Sequence, residues 1–278
     1  MAVLDVEGLT MSYADKKLYE DASFQLEKHE HMGIVGQNGA GKSTLIKILI
    51  GKVLPVDGSV KWQKGVKIGY LDQYVDIPAG MTLIEFLHTA FQELYQLNDQ
   101  MNKYYAEYAD KMDDSLLTKA GRIQEKLDAN NFYEIETRIE RVMNGLGLTD
   151  IGKDHVVSEM SGGQRSKIIL AKMLLENPDV ILLDEPTNYL DTAHIEWLTD
   201  YLNDFDGAAM IISHDYDFLE KVTNTICDVS FGKITKYRGS FQQAMRQKEE
   251  RKEAQEREYE KQQVVIEKAE RFIRKIMA

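Results

Sequence analysis

A glycine-rich segment near the start of the sequence has the residue types and spacing of a phosphate-binding loop. It follows the apolar residues 32–35 and consists of Gly36, Gln37, Asn38, Gly39, Ala40, Gly41, Lys42, Ser43 and Thr44. Glycines let a backbone curl so that its N–H groups converge on a phosphate, and the start of the next helix attracts the same anion. We therefore expect Lys42 to reach the β- and γ-phosphates of a nucleotide and Ser43 to ligate Mg²⁺.

Two adjacent acids, Asp184 and Glu185, directly follow an apolar run at residues 180–183. A carboxylate at the end of a strand can hold Mg²⁺ directly or through water, which is the role predicted for Asp184. Glu185 is then placed to orient or deprotonate an attacking water. Taken alone, two such acids are often only solvated charges. The phosphate loop, and the segment Pro-Thr-Asn-Tyr-Leu-Asp at 186–191, favour the catalytic interpretation.

A second candidate anion site lies at Ser161, Gly162, Gly163 and Gln164, which open a predicted helix. A Ser-Gly-Gly turn at a helix start combines free N–H groups with the positive end of the helix dipole. One nucleotide has one triphosphate, and Lys42 is already predicted to hold it. A second phosphate site therefore indicates a purpose other than holding that same triphosphate.

These motifs, in this order, resemble those of the ABC ATPases over residues 3–239. In that family the segment matching 161–164 contacts the γ-phosphate bound on a partner domain. The resemblance implies four further roles: adenine stacking for Tyr13, contact with Mg²⁺ and the attacking water for Gln73, communication across the dimer for Asp191, and a γ-phosphate switch for His214. Ordinary structural roles are the alternatives for Tyr13 and for His214.

The pattern of strands and helices that must position these residues predicts an α/β fold over residues 1–240. This fold is the cassette of a P-loop NTPase. Short strands in the N-terminal part predict an antiparallel β-subdomain. The continuous apolar runs at 180–183 and 208–212 are typical of parallel strands buried on both faces of a core sheet.

A helical subdomain is predicted over about 82–159. Within it, apolar residues recur at alternating spacings of four and three, which indicates a helical hairpin resembling an arm. The alternative is a set of ordinary amphipathic helices on a globular core. The predicted seam residues are Leu87, Phe91, Leu94, Met101, Tyr105, Tyr108 and Met112, then Leu116, Ala120, Ile123 and Leu127.

Composition limits the class of protein. The 278 residues carry a formal charge of −12 and a single cysteine, Cys227. That charge argues against a chain coated with Lys and Arg for nucleic-acid binding, and one cysteine allows no intramolecular disulfide. No apolar stretch approaches the roughly 20 residues of a membrane-spanning helix. Residues 241–278 are rich in Gln, Glu, Lys and Arg without Gly or Pro, which predicts one long charged helix.

Three segments narrow the resemblance to the ABC-F translation factors. They are Asn-Tyr-Leu-Asp at 188–191, His-Asp-Tyr-Asp-Phe-Leu at 214–219 and Tyr-Arg-Gly-Ser-Phe at 237–241. ABC-F chains carry two cassettes joined by a helical linker, with an arm in the first cassette. The resemblance implies a cytoplasmic Mg·ATPase that acts on the ribosome, near rRNA and the P-site tRNA, and not on a membrane.

The sequence contains one phosphate loop and one acid pair. We therefore expect it to be the first cassette of a tandem protein followed by the start of a truncated linker at 241–278. Its partner would be the second cassette of the same protein or a second copy of this chain, and alone it would hydrolyse ATP weakly. Whether the protein serves general translation, rescue of stalled ribosomes or antibiotic resistance stays open.

Two other classes of ABC ATPase are alternatives. An ATPase subunit docked on a membrane transporter explains the cassette equally well, but not the charged helix or the hairpin. A chromosome-maintenance ATPase normally has its head split by a long coiled coil, and the predicted hairpin is too short for that. The ABC-F interpretation is therefore preferred.

Overall fold

Residues 1–13, 16–71 and 77–277 are described by a computed structural model. The chain forms two units, one made of residues 62–213 with Met1, the other of residues 2–61 and 214–278. Gln73, which we expected to contact Mg²⁺, lies outside the described residues. Among the helices in those ranges, none is both long and apolar enough to cross a membrane.

The described residues form both strands and helices, as expected for an α/β protein. The strands are β1 (Ala2–Tyr13), β2 (Lys16–Glu27), β3 (His31–Val35), β4 (Asp57–Trp62), β5 (Ile68–Tyr70), β6 (Val180–Asp184), β7 (Ala208–Ile212), β8 (Thr225–Ser230) and β9 (Lys233–Arg238). The helices are α1 (Lys42–Leu49), α2 (Leu83–His88), α3 (Gln92–Lys111), α4 (Asp114–Ala129), α5 (Ile135–Gly145), α6 (Gly162–Leu175), α7 (Thr192–Asn203), α8 (Tyr216–Val222) and α9 (Phe241–Met277).

In the unit formed by residues 2–61 and 214–278, an antiparallel sheet has the order β2-β1-β4. The long strands β1 and β2 pair along most of their length, with irregularities in their register. A second set of strands places β3 parallel to β8, and β9 antiparallel to β8. The antiparallel β-subdomain predicted from the N-terminal strands is thus confirmed.

The phosphate loop is positioned by β3 and α1. Every residue of β3 is buried, which explains its apolar sequence. The strand ends at Val35, and α1 begins at Lys42. Leu45 and Ile46 of α1 are fully buried, so the helix packs firmly behind the loop.

In the unit formed by residues 62–213, the strands β5, β6 and β7 are neighbours and run parallel. The apolar residues 180–183 and 208–212 predicted for such strands are almost completely buried. In the register of β6 and β7, Val180 pairs with Ala208 and Asp184 with Ile212. Asp184 therefore stands at the carboxyl end of the sheet, where α/β proteins place their ligands.

The segment 82–159 contains the helices α2 to α5 and short 3₁₀ turns, and its separation as a subdomain stays a prediction. Thr82 caps α2 with a capping box, accepting from the backbone N–H of Glu85 while Glu85 accepts from that of Thr82. The hairpin is formed by α3 and α4, which pack through Met101, Ala120, Ile123 and Leu127. The prediction of a helical hairpin is confirmed.

Two seam residues of the hairpin were predicted wrongly. Tyr105 and Met112 are 44% and 72% exposed, whereas Tyr104 packs against the hairpin core. The observed seam of α3 runs through Leu94, Leu97, Met101 and Tyr104, at spacings of three and four. Tyr105 is one position beyond this face, and Met112 follows the end of α3.

The C-terminal segment forms one helix, α9, as predicted. Its first residue, Phe241, stacks on Tyr216 of α8 with ring centroids 4.7 Å apart and planes 9° apart. Gln243 accepts a hydrogen bond from the backbone N–H of Ser240 at 3.1 Å and so caps the start of α9. The division into a cassette at 1–240 and a linker at 241–278 stays a prediction.

Candidate functional site

The phosphate loop uses glycine where the backbone is left-handed. Gly39 and Gly41 have φ of 74° and 102°, a region that other residues rarely adopt. Gly41 is the N-cap of α1 and provides no side-chain hydrogen bond to the first turn. The first N–H groups of α1 are therefore not capped by a side chain, which suits an anion-binding helix start.

The Lys42 side chain is held at the loop by two backbone carbonyls. Its Nζ donates to the oxygen of Gly36 at 2.9 Å and to that of Gln37 at 3.2 Å. The residue is only 8% exposed, whereas its neighbour Ser43 is exposed. Removing an ammonium from water is costly without partners, and these two carbonyls provide such partners beside the loop backbone.

Packing around the loop leaves room for backbone but not for side chains. A Cβ atom on Gly41 would lie 3.0 Å from Leu18 Cδ1 and 3.0 Å from Tyr19 Cε1. A Cβ atom on Gly36 would lie 2.3 Å from the carbonyl oxygen of Val229. These two positions therefore require glycine, and a loop built on glycine lets its backbone approach the phosphates of a nucleotide closely. Tyr13, predicted to stack on the base, is 50% exposed at the end of β1.

Asp184 and Glu185 differ in backbone conformation. Asp184 is the last residue of β6, half-buried, with its backbone still in the parallel ladder. Glu185 follows with φ of 51°, and its backbone N–H donates to the oxygen of Ile212 at 2.9 Å. A left-handed glutamate is strained, and such strain is concentrated at functional sites. The strand thus ends between the two acids, for which two separate chemical roles are predicted.

The segment after Glu185 contacts the residue that follows β7. The Thr187 and Ser213 hydroxyl oxygens lie 3.4 Å apart, and both residues are buried. Pro186 starts a 3₁₀ turn over Pro186–Tyr189, and its fixed φ suits that position. The contact thereby braces the backbone immediately after the acid pair.

The segment at 161–164 opens α6, as predicted. Ser161 is the N-cap and accepts from the backbone N–H of Gln164 at 3.3 Å, while Gln164 Oε1 accepts from the backbone N–H of Ser161 at 3.0 Å. Neither Gly162 nor Gly163 has a positive φ, and added Cβ atoms would meet no described atom at Gly162 and only Tyr189 at 3.7 Å at Gly163. Packing within the chain therefore does not require these two glycines.

Asp191 and His194 form a pair at the start of α7. Asp191 accepts from the backbone N–H of His194 at 3.1 Å, and its Oδ1 lies 2.7 Å from His194 Nδ1. The aspartate side chain is nevertheless 64% exposed. Asp191 therefore acts as a helix cap while presenting a carboxylate to solvent.

His214 is exposed and precedes Asp215, the N-cap of α8.

The predicted residues are divided between the two units. Tyr13, the phosphate loop and His214 belong to the unit formed by 2–61 and 214–278, and the acid pair, the segment 161–164 and Asp191 belong to the other. Sequence reasoning missed Lys16 and Asp228, which the fold places beside the phosphate loop. Neither belongs to a motif, so no signal in the sequence could have identified them.

Comparison with known proteins identifies the family. A family model described as "ABC transporter" matches residues 19–188, which include the phosphate loop, the segment 161–164 and the acid pair. A second model with the same description, an extension of the first, matches residues 227–278. The first match covers more than half of the chain.

Three curated relatives are similar over most of this chain. An uncharacterized ABC transporter ATP-binding protein, YfmM of Bacillus subtilis, is 42% identical over 98% of this chain and 53% of its own length. ABC transporter F family member 5 of Arabidopsis thaliana is 32% identical over 98% and 40%. The energy-dependent translational throttle protein EttA of Escherichia coli is 35% identical over 79% and 40%. The chain thus spans about half the length of these relatives or less.

The solved structures agree on the fold. A chain described as an ATP binding subunit of an ABC transporter matches with a TM-score of 0.64 and 21% identity, over 88% of this chain and 92% of that one. This confirms the predicted α/β cassette fold. ABC cassettes bind ATP, work in pairs and are ATPases. The motifs, the fold and the relatives together show that the chain belongs to the ABC family of ATP-binding proteins, and they confirm its recognition as an ABC-F cassette.

Proposed function

We propose that this chain binds Mg·ATP and hydrolyses it. Lys42 and the amides of the loop hold the phosphates, and Tyr13 stacks on the adenine. Ser43, Asp184 and Gln73 hold Mg²⁺, which in phosphate sites keeps only a few protein ligands. Glu185 takes the proton of the attacking water, and His214 contacts the γ-phosphate.

The observation that supports this proposal most directly is the Lys42 ammonium, buried at the loop by the carbonyls of Gly36 and Gln37. Lys42→Ala should abolish ATP binding in calorimetry, because it removes a charge-assisted contact to the phosphates. Lys47→Ala is the matched control, since Lys47 is an exposed lysine of the same helix, α1. Equal affinities of the two variants would place the ATP site elsewhere.

The γ-phosphate partner is a second cassette, either in the same protein or in another copy of this chain. The support comes from α6, where Gly162 and Gly163 are needed neither for backbone conformation nor for internal packing. Glycine there lets an external group approach the helix start closely. Together with Ser161 and Gln164, these amides are suited to a γ-phosphate carried by the partner.

We propose further that the full protein acts on the ribosome in the cytoplasm and modulates translation. One relative is named a translational throttle, and the hairpin of α3 and α4 and the charged helix α9 extend the cassette in the places expected of an ABC-F protein. On this proposal the hairpin and α9 approach rRNA and the P-site tRNA. No membrane partner is then required.

The ribosome proposal is tested with a hydrolysis-deficient full-length protein. Glu185→Gln, combined with its counterpart in the other cassette, should trap ATP, because an amide cannot take the proton of water. The trapped protein should sediment with ribosomes. Glu196→Gln is the control, since Glu196 is an exposed residue of α7. Sedimentation with membranes rather than ribosomes would replace the translation proposal by the transporter alternative.

A further inference from the structure

The start of β2 lies directly against the phosphate loop. Lys16 Nζ would lie 3.0 Å from a Cβ atom on Gly39, and Leu18 Cδ1 would lie 3.0 Å from one on Gly41. Lys16 and Leu18 are two residues apart in β2, and Gly39 and Gly41 are two residues apart in the loop. The start of β2 therefore runs alongside the loop and places the Lys16 ammonium at Gly39, near the middle of the loop.

Lys16 lines a cavity of about 300 Å³ beside the loop, together with Lys17, Lys248 and residues 36–40 and 228–232. Two of these lysines have carboxylate partners: Lys17 Nζ lies 2.7 Å from Glu20 Oε2, and Lys248 Nζ lies 2.9 Å from Asp228 Oδ1. Within the described part of the chain no carboxylate pairs with Lys16. Among the residues that the structure describes, Lys16 is thus the lysine of this cavity whose charge has no carboxylate partner.

We propose that Lys16 is a second lysine of the nucleotide site and contacts the polyphosphate chain of ATP. The inference rests on the proposed function, because it assumes that the loop holds a nucleotide. Lys42 reaches the phosphates from the start of α1, whereas Lys16 reaches them from β2, on a separate element. Two lysines and the loop amides then surround the polyphosphate of ATP, whose negative charge Mg²⁺ neutralises only in part.

The position of Lys16 indicates which phosphate it contacts. The amides at the middle of such a loop cradle the α- and β-phosphates. An ammonium at Gly39 is thus closest to the β-phosphate, which ATP and ADP share and AMP lacks. Lys16 should therefore strengthen the binding of ATP and of ADP and should favour both over AMP.

The test compares Lys16→Met with Lys17→Met by calorimetry with ATP, ADP and AMP. Lys17 is the matched control, since it is adjacent, exposed and paired with Glu20. Lys16→Met should weaken ATP and ADP binding about tenfold, the effect expected for one charge-assisted contact at an accessible position. AMP binding by Lys16→Met should change less than about twofold, as should ATP binding by Lys17→Met. Lys16→Arg should restore most of the affinity for ATP.

Several outcomes would overturn the inference. Lys16→Met with wild-type affinity for ATP, alongside a Lys42→Ala variant that fails to bind, would exclude Lys16 and leave the proposed function intact. Equal losses in Lys16→Met and Lys17→Met would show a general effect of surface charge. Equal losses for ATP and AMP would show a contact to the nucleoside part. Failure of the wild-type chain to bind ATP would instead overturn the proposed function.

Discussion

Lys248 Nζ in α9 lies 2.9 Å from Asp228 Oδ1 in β8. The aspartate side chain is 4% exposed, and its other oxygen accepts a hydrogen bond from the Ser230 hydroxyl at 2.6 Å. Asp228 is also opposite Val35 in the parallel register of β3 and β8. A buried carboxylate next to the phosphate loop is thus neutralised by a lysine of the C-terminal helix.

Lys248→Met should lower the free energy of unfolding by about 2 kcal/mol, because it leaves a buried carboxylate without its cation. The estimate is below that for a fully buried pair, since the lysine itself is 37% exposed. Lys252→Met is the control: its Nζ lies 3.8 Å from Glu249 Oε1, and both side chains are well exposed. Its effect should be below about 0.5 kcal/mol. The measurement is urea unfolding of both variants. Equal unfolding midpoints for Lys248→Met and Lys252→Met would show that the contact with Asp228 does not stabilise the fold.

Leu127→Ala should destabilise the hairpin of α3 and α4 by about 3 kcal/mol, since Leu127 is fully buried in its core. Leu117→Ala on the same helix should cost less than about 0.5 kcal/mol, because Leu117 is 37% exposed. Hydrogen exchange measured by mass spectrometry over residues 92–129 reports the difference. Faster exchange that is equal in both variants would contradict the assigned core. ATP affinity should stay unchanged in both.

Cys227 should make stability depend on pH in alkaline solution. Burial raises the pKa of its thiol from 9.0 to about 12, more than the nearby Lys236 lowers it. Between these values the folded chain keeps the proton and the unfolded chain loses it. The stabilising contribution is therefore complete below pH 9 and is lost as the pH rises toward 12, at no more than about 1.4 kcal/mol per pH unit.

The measurement compares urea unfolding of the wild type and of Cys227→Ala at pH 8 and pH 10. The free energy of unfolding of the wild type should fall by about 1 kcal/mol more than that of the variant over this interval. Burial also raises the pKa of Tyr201, but that residue is present in both proteins and cancels. Identical pH dependence in the two proteins would mean that the thiol is accessible to water.

Hydrolysis by this chain alone should depend on its concentration. Ser161 and Gly163 are proposed to act on a γ-phosphate held by another cassette, so turnover requires two copies to associate. The specific activity, measured as phosphate release per mole of chain, should fall on dilution. A Ser161→Arg variant should abolish activity and keep ATP binding, because a bulky cation blocks the start of α6. Specific activity that is constant over a hundredfold dilution would rule out this requirement.

The sequence predicted the local elements that are specified by neighbouring residues. The phosphate loop, the acid pair at the end of β6 and the capped start of α6 depend on a few adjacent residues whose chemistry is readable. The helical hairpin and the single helix α9 follow from apolar spacing and from charge. The family match confirms the motif-based recognition, whereas the role of each site residue stays a prediction.

The hairpin shows where spacing alone is ambiguous. Tyr104 and Tyr105 are adjacent, and either could continue the apolar seam from Met101, at a spacing of three or four residues. In the structure Tyr104 continues the face of Leu97 and Met101 that packs against α4. Both spacings are compatible with one helix face, so the packing of α3 on α4 decides which tyrosine is buried.

By itself, the sequence determined the family, the motifs of the phosphate loop and the acid pair, the helical hairpin and the charged helix, because each depends on residues close together in the chain. Only the tertiary structure placed Lys16 at Gly39 and joined Lys248 to the buried Asp228. These contacts connect residues that are 20 or more positions apart in the sequence. The first depends on β2 running alongside the loop, and the second depends on α9 packing on β8. They depend on strand register and helix packing, which the sum of many weak interactions sets and no short motif records.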